Sequence, residues 1–237
     1  MGSTSEHVSS GRLEILNIGI TAESGNFDFY INSKKDDWSS FTHNWNKTLW
    51  RQGTDIEKVT ISCLPLDEVL SQKGSPYYLK IDIEGCDVDA LRSLLNIDTS
   101  NLPQYLSVEL PTYNNLPDKQ VDYLEILCIL RTLGYKKFQL VDQSQHHLVC
   151  CPNPPLEGKW VSYTFDGHCS GLFGQELPGP WETIDQVAHK YIKYIQNKNQ
   201  GQKSTAVSRT FKKFLNQPGI DVTELNPNGW FDVHVTL

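Results

Sequence analysis

The sequence lacks the features that mark membrane and secreted proteins. No stretch approaches the roughly 18 uninterrupted apolar residues that a membrane-spanning helix needs. The N-terminal residues MGSTSEHVSSGR contain no apolar segment of the kind found in signal peptides, and Glu6 stands where a myristoylation signal has Ser or Thr. We therefore predict a soluble cytoplasmic protein with no targeting segment and no membrane partner.

Clusters of basic residues are also missing. Lys and Arg number 21 against 28 Asp and Glu, which gives a formal net charge of -7. The basic residues cluster only as KK pairs. Because affinity for nucleic acid depends on clustered Lys and Arg facing phosphates, the sequence predicts that nucleic acid is not a partner.

The six cysteines form no C-x-x-C pair. Several lie inside apolar runs, where a reduced thiol behaves as a small hydrophobic residue. This pattern agrees with a reducing cytoplasm. The adjacent Cys150 and Cys151 are either a redox feature or simply neighbours at a strand end, and the second interpretation is the more common one.

Strand-like and helix-like segments alternate along the 237 residues, a length that allows one sizeable core or two small ones. Such alternation predicts an α/β fold built from βαβ units. Predicted strands lie at 13–20, 27–31, 58–64, 77–83, 104–110, 135–143 and 229–235. Predicted helices follow Pro65 and Gly85, run from Asp118 to Gly134, and run from Trp181 to about Gln196. The first two strands are predicted to form a hairpin.

Three segments divide the chain by composition. Residues 1–12 form a predicted flexible leader and residues 13–152 form the α/β core. Residues 153–237 begin with a stretch dense in Pro and Gly that we expect to wrap the surface. A helix and a closing strand of the same domain follow it.

Acidic side chains stand at the ends of two predicted strands. Asp82 and Glu84 end one strand, and Glu109 ends the next strand in sequence. Ligands bind beyond the carboxyl ends of parallel strands, where carboxylates accept protons, hold ribose hydroxyls or bind hard cations. The alternative is structural, since such an acid also caps the following helix or pairs with Lys80. Gly85 allows a sharp turn from strand to helix.

Two histidines are candidate bases. His43 lies in a polar loop that contains three tryptophans, and His168 lies in the stretch dense in Pro and Gly. A structural role is the more common interpretation for each.

The stretch VTISCLPLDEVLSQKGSPYYLKIDIEGCDVDALRSL resembles the signature of FkbM-type methyltransferases, where an LKIDxEG block follows a short helix. LEILNIGITAESGNFDFYINS is similar to the family segment before it, with Gly19 where alanine is usual. QYLSVEL matches the next strand and its acid. GLFGQELPGPW and GWFDVHV resemble C-terminal segments of part of the family. The resemblance extends from about Leu13 to the C-terminal strand.

This resemblance implies a Rossmann-like methyltransferase sheet, mostly parallel with an antiparallel strand near the C-terminus. It also implies S-adenosylmethionine as the cofactor and a hydroxyl oxygen of a sugar or small metabolite as the acceptor. Asp82 would then face the transferred methyl group, with Glu84, Glu109 and His43 as further catalytic candidates. Gly19, Ile20, Asp82 and Gly85 become the candidate cofactor contacts.

The sequence departs from the family at its start. Only twelve residues precede LEILNIGI, and no G-x-G loop follows a strand. We therefore expect a sheet that is incomplete in its N-terminal half, a truncated methyltransferase with impaired cofactor binding. Two alternatives remain open. One is a non-catalytic binding or assembly module that a partner strand completes in a homo-oligomer. The other is a metal site built from Asp82, Glu84 and Glu109.

Overall fold

A computed structural model describes residues 4–35, 39–41, 55–111, 124–165, 169–198, 225 and 229–237. Its α-helices are α1 (Thr4–Ser9), α2 (Leu66–Lys73), α3 (Asp87–Ser93), α4 (Glu125–Leu133) and α5 (Ile184–Lys198). Its strands are β1 (Gly19–Ile20), β2 (Gly25–Asn32), β3 (Ile56–Leu64), β4 (Tyr78–Ile81), β5 (Tyr105–Glu109), β6 (Lys137–Asp142) and β7 (Phe231–Thr236). Among the described residues, no helix is long and apolar enough to cross a membrane.

A three-stranded sheet has the order β1-β3-β2. β2 pairs antiparallel with β3 over eight residues, whereas β1 pairs parallel with β3 over only two. Gly19 and Gly25 both pair with Cys63, from opposite sides of β3. The predicted hairpin between the first two strands is therefore wrong, because the turn between β1 and β2 carries the chain across β3. The predicted strand at 13–20 also shortens to its last two residues.

A four-stranded sheet has the order β4-β5-β7-β6. β4 and β5 are parallel, and β7 lies antiparallel between β5 and β6. The expected antiparallel strand near the C-terminus is confirmed. Parallel pairing is less extensive than predicted, since three of the five strand pairings in the two sheets are antiparallel. The described part of the chain is thus a mixed α/β structure with two sheets.

One face of the four-stranded sheet is apolar and carries the main core. In α4, the buried residues Ile126, Leu127, Leu130 and Leu133 recur at helical spacing. The helix ends where predicted, at Gly134, which has a positive φ of 105°. From α5, Tyr194 packs edge-on against Phe231 of β7. Helices α2 and α3 also occupy their predicted positions.

The opposite face of the same sheet is polar but also buried. Side chains alternate along β7, so that Asp232 and His234 lie on the face opposite Phe231, yet all three are buried. Part of the cover comes from the segment dense in Pro and Gly. Phe173 stacks on Tyr78 of β4, with ring centroids 4.2 Å apart. This sheet therefore places charged side chains away from bulk water.

Candidate functional site

The turn between β4 and α3 has a tightly defined backbone. Glu84 and Gly85 both have positive φ, at 51° and 113°, a conformation that is common for glycine and unusual for glutamate. The Asp87 carboxylate accepts hydrogen bonds from the N–H groups of Ile83 and Gly85, each at 3.1 Å. Ser40 Oγ donates to the Glu84 carbonyl at 2.7 Å. The strand-to-helix turn expected at Gly85 is thus present and held by side chains on both flanks.

Lys80 joins two aspartates at this edge of the sheet. Its Nζ lies 2.9 Å from Asp232 and 3.3 Å from Asp82. The Asp232 side chain is only 2% exposed, whereas that of Asp82 is 44% exposed. Burial disfavours the Lys80 ammonium, but the two carboxylates outweigh burial and raise its pKa. The structural alternative, in which a strand-end acid pairs with Lys80, is therefore confirmed for Asp82. Asp232 is a second partner of Lys80.

Glu109 lies beside this pair, directly across from Asp232 in the β5–β7 register. Burial, and to a lesser extent the neighbouring acids, together raise the pKa of its carboxyl group to about 8. These acids are Asp82, Glu84, Asp232 and Asp87. Glu109 consequently holds a proton at neutral pH and releases it under mildly basic conditions.

A row of polar residues crosses the whole sheet two residues away from the Glu109–Asp232 pair. Lys80 pairs with Ser107, Ser107 with His234, and His234 with Gln139. Burial lowers the pKa of His234 to about 3, with Lys80 and His146 adding to the effect, so the imidazole is neutral. Its Nε2 atom has no hydrogen-bond partner among the described residues. Tyr78 and Ser107 hydrogen-bond through their hydroxyls at 2.6 Å.

The candidate cofactor contacts on β1 have packing roles. A Cβ atom on Gly19 would lie 2.4 Å from Phe41 Cζ and 2.7 Å from Cys63 Sγ, so only glycine fits there. Ile20 packs against the main hydrophobic core. Contact of either residue with a cofactor stays a prediction.

The three predicted strand-end acids lie close enough to interact, since Asp82 and Glu84 both raise the pKa of Glu109. His43 and His168 lie outside the described residues. Within the described residues, no group of three or more His, Cys, Asp or Glu side chains has the arrangement to hold a metal ion. The metal interpretation of Asp82, Glu84 and Glu109 therefore has no support in the structure.

Sequence reasoning missed Asp232, the most buried acid at this edge. The alternation of Phe231, Val233 and Val235 identified the strand and implied that Asp232 points to the other face. It did not reveal that this face is also covered, or that β7 inserts beside Glu109. Ser40 was likewise missed as a partner of the Glu84 backbone, because nothing in its local sequence connects it with a turn 44 residues away.

Comparison with models of protein families finds a match to the first part of the chain. The family model of the Methyltransferase FkbM domain matches residues 7–137. Asp82, Glu84 and Glu109 lie inside the matched region, and Asp232 lies outside it. No curated protein and no solved structure shows a significant match to the chain.

Proposed function

Because the chain belongs to the FkbM methyltransferase domain family, we propose that it transfers a methyl group from S-adenosylmethionine to a hydroxyl oxygen. The acceptor class that we propose is a sugar or another small metabolite, and the fold that we propose is Rossmann-like. The observation that carries the proposal is the partly buried Glu109 at the acidic end of β5, whose pKa is raised to about 8 by burial and by neighbouring acids.

The charge of the site suits this cofactor. S-adenosylmethionine would supply a methyl group on a positively charged sulfonium, and its amino acid part carries an ammonium group. Four acids act on Glu109 and raise its pKa, whereas Lys80 pairs with two of them, so the edge has an excess of negative charge. Asp82 is the exposed acid of the Lys80 pair, and Glu84 lies beside it on the turn. We propose these two carboxylates as the groups that hold the cofactor cation.

Glu109 is the proposed proton acceptor. Methyl transfer to oxygen requires the acceptor hydroxyl to be aligned and its proton to be removed. A general base works best when its pKa lies near the working pH, and a pKa of about 8 meets that condition. The deprotonated carboxylate would take the hydroxyl proton, while the fixed Glu84–Gly85 turn and the strand ends orient the acceptor. Alignment alone is worth roughly 7 to 11 kcal/mol of the barrier.

Isothermal titration with S-adenosylmethionine tests the cofactor proposal without knowledge of the acceptor. We expect Asp82→Asn to weaken binding about tenfold or more, because it removes an exposed carboxylate from the cationic ligand's site. Asp28→Asn is the matched control, since Asp28 also pairs with a lysine but lies on the three-stranded sheet. Absence of binding to the unmodified chain, or equal effects of the two variants, would contradict the proposal.

Transfer of radiolabelled methyl groups to a panel of sugars and hydroxylated metabolites tests the reaction. The rate is expected to rise with pH through a midpoint near 8, as Glu109 loses its proton, and to level off at higher pH. Glu109→Gln should remove this rise and lower the rate on the order of 100-fold. A variant as fast as the parent chain would exclude Glu109 as the base.

The second candidate, a binding or assembly module, has one observation in its favour. Leu13, Ile15 and Leu16 are 40%, 66% and 40% exposed just before the two-residue edge strand β1. Exposed apolar residues beside a sheet edge favour pairing with another chain. Light scattering decides this candidate. A homo-oligomer that dissociates in Ile15→Lys supports it, and a monomer that binds S-adenosylmethionine contradicts it.

A further inference from the structure

The polar face of the four-stranded sheet contains two buried atoms whose capacity for hydrogen bonding is unmet. They are Oε1 of Gln139 on β6 and Nε2 of His234 on β7, and neither has a hydrogen-bond partner among the described residues. The two residues are direct cross-strand neighbours, and they are 7% and 2% exposed. Burying a polar atom without a partner is costly. Each atom therefore needs a partner that the described part of the chain does not supply.

The chemistry of the missing partner follows from these two atoms. Gln139 donates through Nε2 to the carbonyl of Pro178, and since a carbonyl only accepts, the unpartnered atom of this amide is its acceptor oxygen. His234 is neutral because burial lowers its pKa, so its Nε2 can carry a proton and donate it. A hydroxyl group would accept from this N–H and donate to the Gln139 oxygen, and would thus bridge the two strands.

The surroundings of the two atoms favour a neutral ligand with an apolar face. The ring of Tyr78 lies parallel to the imidazole of His234, with an interplanar angle of 8° and ring centroids 6.3 Å apart. Phe173 stacks on Tyr78 in turn. Lys80, the charged member of this row, is already paired with two carboxylates. The row therefore suits an uncharged ring that carries hydroxyl groups better than it suits an anion.

Residues 171–179 cover this part of the sheet. Besides Phe173 and Pro178, Gly171 lies so close to the sheet side that a Cβ atom there would be 2.4 Å from Cε1 of His146. Phe173 is 38% exposed and forms the outer rim of the cover. Because Gln139 and His234 are closed off from solvent beneath this segment, a ligand reaches them only when the segment moves.

The two atoms lie next to the acidic edge of the sheet. His234 is two residues from Asp232, the direct cross-strand neighbour of Glu109. Side chains two residues apart on a strand share a face and are separated by about 7 Å. This separation is comparable with the size of one sugar ring and its hydroxyl groups, so a single ring can reach both places.

We propose that Gln139 and His234 form a hydroxyl-binding subsite for a neutral monosaccharide, whose ring lies beside Tyr78 and under the cover of residues 171–179. This inference deepens the proposed function and rests on it in one respect, which is that another hydroxyl of the same ring reaches Glu109 as the methyl acceptor. Binding of the sugar itself is a property of the free protein.

Nuclear magnetic resonance of the protein labelled with ¹⁵N at histidine tests the subsite, with the His234 signals assigned through bonds to the backbone. The probes are the methyl α-pyranosides of glucose, galactose, mannose and fucose. We expect at least one of them to move the His234 Nε2 signal in a saturable way, with a Kd on the order of 1 mM or below. Tetrahydropyran, the same ring without hydroxyl groups, should leave the signal in place. Absence of a shift with all four glycosides, or an equal shift with tetrahydropyran, would overturn the inference.

A pair of glutamine variants tests the assignment of the acceptor atom. Gln139→Leu removes the acceptor oxygen and should weaken glycoside binding about tenfold. Gln104→Leu is the matched control, because Gln104 donates a hydrogen bond to Thr236 on the same sheet, and it should leave the Kd within about twofold of the parent value. Equal weakening in both variants would contradict the role of Gln139. The titration of the parent chain remains decisive if Gln139→Leu fails to fold.

A buried water molecule is the competing partner, since one water also satisfies two polar atoms. Magnetisation transfer from water to the His234 ring separates the two cases. We expect any such transfer to disappear when the glycoside binds, and a long-lived water that stays in place at saturating glycoside would overturn the inference. Isothermal titration with S-adenosylmethionine distinguishes the two proposals. Glycoside binding without cofactor binding refutes the proposed function alone, and the reverse refutes the subsite alone.

Discussion

Each of the two sheets contains a lysine–aspartate pair, and the two pairs have nearly equal lengths. Lys58 and Asp28 on β3 and β2 are 2.8 Å apart, and Lys80 and Asp232 on β4 and β7 are 2.9 Å apart. Their surroundings differ. The first pair is 58% and 45% exposed, and the second is 20% and 2% exposed. The distance alone is therefore a poor guide to the role of a pair, because solvent screens the first pair, whereas removing one partner of the second leaves a buried charge uncompensated.

The largest expected difference between the sheets is in apolar packing. Phe231 on β7 is 2% exposed and packs edge-on against Tyr194, whereas Phe27 on β2 is 37% exposed. We expect Phe231→Ala to lower the free energy of unfolding by about 3–5 kcal/mol, because it leaves a cavity. Phe27→Ala should cost about 1 kcal/mol. Urea denaturation of both variants measures the difference, and similar losses would show that the two sheets are equally packed.

Breaking the two ion pairs should give the next largest difference. At pH 7, Lys80→Met leaves Asp232 buried without its cation and should destabilise the fold by about 3 kcal/mol. Lys58→Met should change stability by less than about 0.5 kcal/mol. The loss in Lys80→Met should shrink as pH falls, since burial raises the pKa of Asp232 and a proton can replace the cation. Urea denaturation at pH 7 and pH 5 checks both statements, and a loss that is independent of pH would contradict the second.

The smallest expected effect is the fall in stability between pH 6 and pH 8 that Glu109 causes. The folded pKa of Glu109 is about 8, above its unfolded value of about 4.3. The native state therefore binds more protons between these values, and stability falls as pH rises through this window, by at most about 1.4 kcal/mol per pH unit. Glu109→Gln should remove this contribution. Glu57→Gln, on the exposed strand β3, is the control and should retain the slope of the parent chain, as measured by urea denaturation from pH 6 to pH 8.

Sequence patterns predicted most elements because their causes are local. Pro65 marks the start of α2 and Gly134 marks the end of α4, and the apolar spacing within α4 marks its buried face. Each of these signals involves residues that are only a few positions apart. The same holds for the alternation that identified β7. The residues 13–18 show where local reasoning failed, since they have strand composition but no pairing in the described structure. Strand formation depends on a partner, and β3 takes β2 along eight residues on one side and only Gly19 and Ile20 on the other.

The residues of the candidate site also differ in whether local sequence could predict them. Asp82, Glu84 and Glu109 were recognisable because each follows an apolar strand directly. Asp232 was not, because its position depends on β7 inserting between two strands far earlier in the chain. The burial of its face depends on a segment dense in Pro and Gly whose contacts follow no period. Asp232 could therefore not be predicted as the partner of Lys80, because its position depends on long-range strand pairing and its burial depends on an irregular segment.

The central position of β7 also affects how the chain folds. β5 and β6 run in the same direction and are joined through β7, which follows both of them in the chain. Leu106 of β5 and Phe138 of β6 both pair with Val235 of β7, so neither pairing can form before β7 is present. Closing such long loops precedes any gain from pairing, which slows folding. Until β7 arrives, β5 and β6 present unpaired edges to other chains. Aggregation during synthesis should therefore depend more on the residues of β7 than on those of any strand made before it.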